Sequence, residues 1–228
     1  MKRFLIVPAL LLLLSTGASA NNAILGGFHL VMSDINGTGD YDALAKDYTM
    51  RVGYGFGGYF SWDMKDRLSL LTGLWYETRG AEQSDSRQIP NYHNLGVTAT
   101  QTNAITVALS YLQIPALFSY NVMTDMNLFA GPELGFLLTS RSIGETSLRV
   151  NNTTDKTTVD SDSKDLMSGV DFTLSMGGTY LIMNQVLVMA ALDIGLIDIV
   201  KDPAAGTEGA QRNFALKLGV GYRFDLRP

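Results

Sequence analysis

The sequence predicts an all-β chain, an eight-stranded antiparallel up-and-down transmembrane β-barrel. Three observations predict it. From Ala23 onward apolar residues recur with a period of two, the period of strands, and not with the period of helices. The connections between the apolar segments alternate short and long. Aromatic residues gather at one end of every second segment.

The first twenty residues have the make-up of an export leader. Lys2 and Arg3 precede the apolar run Phe4 to Leu14, and Ala18-Ser19-Ala20 supplies a small-x-small cleavage site. That run falls short of the roughly 20 residues a membrane-spanning helix needs. Residues 1–20 are therefore expected to be a cleaved signal peptide and residues 21–228 a single barrel domain. Loss of Lys2 and Arg3 takes the formal net charge from −5 to −7. Such a balance argues against a nucleic-acid partner, which would want a basic face. The chain has no cysteine, which excludes disulfides, thiolate metal sites, a cysteine nucleophile and a cysteine lipid anchor.

Strands are expected at 23–34, 49–62, 67–79, 109–120, 127–141, 166–182, 186–199 and 213–224. The first turns His29 inward. The second sets Val52, Tyr54, Phe56, Phe60 and Trp62 against Arg51, Gly53, Gly55, Gly57 and Tyr59. The third carries Arg67, Glu77 and Arg79 on its inward parity, and the fourth carries Gln113. The fifth places Glu133 and Arg141 inward, the sixth Asp171 and the seventh Asp193. The last alternates most cleanly, with Phe214, Leu216, Leu218, Val220, Tyr222 and Phe224 opposite Ala215, Lys217, Gly219, Gly221 and Arg223.

Short turns follow the even strands at Asp63 to Asp66, Asn121 to Met126 and Met183 to Gln185. Polar loops follow the odd ones, the longest at 80–108 and 142–165. The outward aromatics Phe60, Trp62, Phe118, Tyr120, Tyr180, Tyr222 and Phe224 all fall at the short-turn end, as a girdle at a water–lipid interface requires. The inward charges Arg51, Arg67, Glu77, Arg79, Glu133, Arg141, Asp171, Asp193, Lys217 and Arg223, with Gln113, are expected to form a self-neutralising polar lumen. An eight-stranded interior has room for little beyond its own side chains.

The segments Tyr111-Leu112-Gln113-Ile114-Pro115-Ala116-Leu117 and Phe129-Ala130-Gly131-Pro132-Glu133-Leu134-Gly135 carry a resemblance. Asp193-Ile194-Gly195-Leu196-Ile197-Asp198-Ile199 and Gly219-Val220-Gly221-Tyr222-Arg223-Phe224 add to it. With them the chain resembles the outer-membrane β-barrel domain family of Gram-negative bacteria that includes PorT-like and other small porin-family barrels. The resemblance implies an integral outer-membrane barrel, in a family whose members mostly lack an assigned activity and where some similar proteins serve secretion of other proteins. Lys217, Gly219, Tyr222 and Phe224 also resemble the terminal signal read by the barrel-assembly machinery, which is the partner expected during biogenesis.

Chemistry is sparse. His29 and His93 do not form a metal-ligand pattern, and no nucleophile-elbow motif accompanies them, so no enzyme activity and no cofactor is expected. Asp34, Asn36, Thr38 and Asp40 alternate as oxygen ligands do at the start of a calcium loop, with Gly39 at its sixth position. The twelfth position is Ala45 where such a loop needs a bidentate Glu, and turn chemistry accounts for the same residues. The expected function is therefore binding or adhesion, surface protection or support of a secretion or assembly complex, through the external loops and a protein partner there. The alternatives are a narrow channel for small polar solutes and a soluble exported ligand carrier.

Overall fold

A computed structural model describes residues 22–41, 48–90, 98–151, 153–183, 185–201 and 208–226. The leader segment, His93 and Ala45 lie outside the described residues. Among those described, nine strands form one antiparallel sheet: β1 (Ala23–Gly37), β2 (Tyr48–Lys65), β3 (Leu68–Ile89), β4 (Ala99–Met123), β5 (Met126–Val150), β6 (Thr153–Asp162), β7 (Val170–Ile182), β8 (Val186–Gly195) and β9 (Gln211–Asp225). Eight of them close a ring in the order β1-β2-β3-β4-β5-β7-β8-β9, with β9 pairing back onto β1 from Ala23↔Asp225 to Gly37↔Gln211. Closure leaves no ring strand with an open edge within the barrel.

The period-two pattern fixes which side chains face out. Leu30 pairs across its two ladders with Tyr54 and Leu218, and all three are exposed. Their neighbours His29, Val31 and Lys217 are buried inside. A soluble carrier would place these apolar residues around a lumen; here they coat the outside.

At one end the turns are tight, at Asp66-Arg67, Thr124-Asp125 and around Met183, where Asp66 and Met183 take positive φ. At the other end the strands outrun the ring. β8 has 10 residues, close to the roughly 9–11 that span a bilayer. β4 and β5 have 25 each. At about 3.4 Å per residue and a tilt near 40°, 25 residues rise about 65 Å, against an apolar band about 25 Å tall. The expected loops 80–108 and 142–165 are thus mostly strand. β3 and β4 stay paired up to Ile89↔Ala99, β4 and β5 up to Ala99↔Val150, and β6 adds a fourth strand onto β5. Threonine-rich stretches such as Thr98-Ala-Thr100-Gln-Thr102 favour this extended backbone without offering an apolar alternation.

The strands expected at 166–182 and 186–199 are shorter than anticipated. β7 begins at Val170, and β8 ends at Gly195. The chain beyond β8 folds over the mouth instead: Ile199 is buried, and Val200 bridges Met167. Asp198 holds that bend by accepting the backbone N–H groups of Val200 and Gln211.

Candidate functional site

The barrel interior is layered. Nearest the tight turns, Tyr59, Leu71, Trp75, Leu117, Phe129, Leu187, Met189 and Ala191 form an apolar layer. Toward the long hairpins, Ile35, Ala81, Leu109, Tyr111, Leu137 and Ile199 form a second. Between them sits a charged layer in which every member is essentially inaccessible.

In that layer the Arg79 guanidinium reaches Glu77 at 2.6 Å, Asp193 at 2.5 Å and Glu133 at 3.8 Å. The Lys217 ammonium contacts Glu77 at 2.9 Å, Glu133 at 3.0 Å and Asp193 at 2.8 Å. Two cations on β3 and β9 thus tie together carboxylates from β3, β5 and β8. The His29 Nε2 lies 3.0 Å from Glu77, and its ring stacks on Trp75 with centroids 4.7 Å apart. Asp171 accepts the Asn213 amide at 2.7 Å, and the same amide donates to the Tyr111 hydroxyl at 3.2 Å. Charges this deep persist only when paired, because desolvation costs several kcal/mol per ion.

Glycine makes room for this arrangement. A Cβ at Gly55 would collide with the His29 imidazole, and one at Gly219 would meet the His29 Cβ. Gly55→Ala is therefore expected to push His29 off Glu77 and to cost about 1–3 kcal/mol, as overpacking does. A lowered urea midpoint followed by tryptophan fluorescence checks this, since Trp75 carries the stacked ring. An unchanged midpoint would remove the packing role given to Gly55.

Not every inward-parity residue belongs to the layer. Arg51 is half-buried at the long-hairpin end and donates to the Arg79 carbonyl at 3.1 Å. Arg67 is exposed in a tight turn, and Arg223 pairs with Asp225 at 2.8 Å at the same end. Gln113 is buried beside Gly135, where a Cβ would meet its amide. Arg141 faces the opposite way to the expectation. Leu138 is an extra residue opposite β4, between the pairs Tyr111↔Leu137 and Ser110↔Thr139, so parity inverts above it. Ser140 points in, and Arg141, 60% exposed, pairs outside with Asp160.

The calcium candidates do not converge. Asp34 accepts its neighbour's N–H at 2.8 Å and Asp40 that of Glu208 at 2.8 Å. Thr38 exchanges hydrogen bonds with Ala210, and Asn36 lies within β1. Among the described residues no group of three His, Cys, Asp or Glu side chains is arranged to hold a metal ion.

On the outer surface Phe118, Tyr120, Tyr180, Tyr222 and Phe224 are exposed at the tight-turn end. Phe60 packs on Trp62 at 4.8 Å and Tyr222 on Phe224 at 4.6 Å. Residues 19–201 match the family described as outer membrane protein beta-barrel domain. The chain belongs to that family.

No curated protein matches the chain. Among solved structures, Ail, the attachment invasion locus protein of Yersinia pestis, is similar at 10% identity and TM-score 0.40, covering 90% of this chain and 99% of that one. Neisserial surface protein A is similar at 12% identity and TM-score 0.37, covering 91% and 99%. OprG from Pseudomonas aeruginosa is similar at 13% identity and TM-score 0.38, covering 91% and 98%.

As an outer-membrane barrel of this family, the molecule sits in the bacterial outer membrane, among its lipid. A polar cavity of about 190 Å³ at the tight-turn mouth is lined by Asp63, Asp66, Arg67, Asn121 and Arg223. The space in the apolar layer above it is about 20 Å³, room for a single water.

Two features of this interior escaped the sequence reading. Asn213 and Tyr111 join the network through neutral groups, although Asn213 shares the inward parity of Lys217 and Tyr111 that of Gln113. The apolar layers leave no mark in the charge pattern, since an inward Leu71 or Leu109 reads in sequence like any other strand leucine.

Proposed function

We propose that this protein is a non-enzymatic surface-binding protein whose packed barrel holds a rigid extracellular sheet as its working part. One observation carries the reading: β3, β4 and β5, adjacent in the ring, continue in register far beyond the membrane, and β6 widens them to four strands. Binding surfaces are disproportionately found on such projections from a rigid scaffold. Ion pairs between neighbouring strands stiffen it, with Arg141 on Asp160 and Lys156 on Glu145.

The test removes residues 84–104 and 143–161 and closes each hairpin with a two-residue Asn-Gly turn. The shortened barrel is expected to keep its outer-membrane location and its heat-dependent gel mobility. Cells expressing it are expected to lose retention on protein-coated surfaces. Full retention without the sheet would overturn the reading.

The layered interior argues against a solute channel. Planar-bilayer recordings of the full-length protein are expected to show no discrete current steps, and regular steps would favour the transport alternative instead.

A further inference from the structure

Natural proteins blunt exposed sheet edges with prolines, bulges, outward lysines or very short strands. β6 has no proline and no bulge and is not short; of the charged side chains that also guard an edge it carries one lysine and three aspartates. It runs ten residues, Thr153–Asp162, without proline or glycine, and its ladder with β5 is unbroken from Arg141↔Asp162 to Val150↔Thr153. All ten residues are exposed, and no described residue pairs with its outer edge. Its one lysine is drawn back over the sheet, where the ammonium meets Glu145 at 2.8 Å. The edge therefore presents a row of backbone donors and acceptors to water beyond the membrane.

Charge decides what fits there. β6 carries Asp155, Asp160 and Asp162 against Lys156. Arg141 holds Asp160, and Asp162 accepts only the backbone N–H of Lys164, at 2.9 Å. Asp155 and Asp162 thus have no cationic partner among the described residues. A second copy is a poor occupant. Two copies in one membrane share an orientation, so their β6 strands would run parallel and set like carboxylates side by side. The other exposed margin of the same sheet, Ser84–Ile89 of β3, offers only Arg87 beside Asp85.

We propose that the β6 edge accepts an extended, cationic strand of another protein by antiparallel strand addition, with lysine or arginine beside Asp155 and Asp162. Backbone hydrogen bonds would supply the attachment and the two carboxylates the selectivity. This inference rests on the surface-binding reading above and names the chemistry of the partner.

The test uses the full-length protein in phospholipid nanodiscs with three labelled peptides. One alternates threonine and valine over ten residues, with lysines opposite Asp155 and Asp162. The second has glutamate in place of both lysines. The third is the lysine peptide with alternate amides N-methylated, which removes one edge of donors. The lysine peptide is expected to bind about tenfold more tightly than either control and to slow hydrogen exchange across 153–162. Asp155→Asn with Asp162→Asn is expected to weaken it about tenfold while the β5–β6 ladder stays protected.

Equal binding of the N-methylated peptide, no binding at all, or protection elsewhere on the molecule would overturn the proposal. So would concentration-dependent protection of β6 without peptide, which would make a second copy the occupant. Loss of surface retention on removing the sheet, together with no strand addition at β6, would sink this inference and leave the surface-binding reading standing. Unchanged retention would sink both.

Discussion

Arg79→Met is expected to destabilise the folded barrel by about 3–5 kcal/mol, the cost of stripping one partner from a buried ionic group. The reason is the imbalance of the charged layer. Arg79 and Lys217 face Glu77, Glu133, Asp171 and Asp193, and these six side chains are buried. Without the guanidinium, Asp193 keeps one cationic contact, through Lys217, and Glu77 depends on Lys217 and His29. Urea unfolding in phospholipid vesicles, followed by tryptophan fluorescence, reads the loss. Adding Asp193→Asn should recover part of it, because a carboxylate that no longer exists needs no partner. A midpoint indistinguishable from the parent protein would mean that the layer tolerates unpaired charge and contributes nothing to holding the barrel closed. Replacing the whole layer by apolar residues of equal volume is a different experiment, and it need not destabilise the protein at all.

Leu30→Arg should cost about 2–4 kcal/mol, and Ile24→Arg only about 0–1 kcal/mol. Both side chains face out of β1 on the same parity. Ile24 pairs with Phe60 and Phe224 of the aromatic girdle, where arginine can reach the headgroups. Leu30 lies six residues further along, about 15 Å deeper by strand rise and tilt. The charged layer is directly behind it, at His29 and Val31↔Lys217, but the sheet separates the two, so a new arginine at Leu30 finds hydrocarbon. Folding into vesicles with a urea midpoint for each variant measures the difference. Equal costs at both depths would contradict the lipid-facing assignment.

Much of the ring was legible in the sequence because membrane strands obey a two-sided rule. Leu218 must meet lipid and Lys217 must not, so alternation alone sorts the faces. The tight turns and the aromatic girdle then orient the barrel. What parity cannot supply is height along the barrel axis. Arg51, Lys217 and Arg223 all share the inward parity, yet they sit at the long-hairpin end, in the charged layer and at the tight-turn mouth respectively. Strand register sets that height, and register is a property of pairs of strands.

The projecting sheet was hidden for a different reason. In water on both faces, Thr100 and Gln101 have no cause to differ in polarity, so the alternation that marks a membrane strand disappears. Threonine density was the remaining signal. At Arg141 the parity rule itself misled, because a single bulged residue lies below it.

That bulge at Leu138 divides β5 into two reading frames. Below it, odd-numbered residues face the lumen; above it, even-numbered ones do. The projecting sheet and the membrane-embedded wall are thus offset by one residue, like two cassettes joined by a spacer. Anyone transplanting the sheet onto another small barrel must therefore match the join to this offset. Thr139 joined after an outward-facing scaffold residue, with no bulge between them, turns β5 over, so that Arg141 points into the mouth and Ser140 away from it.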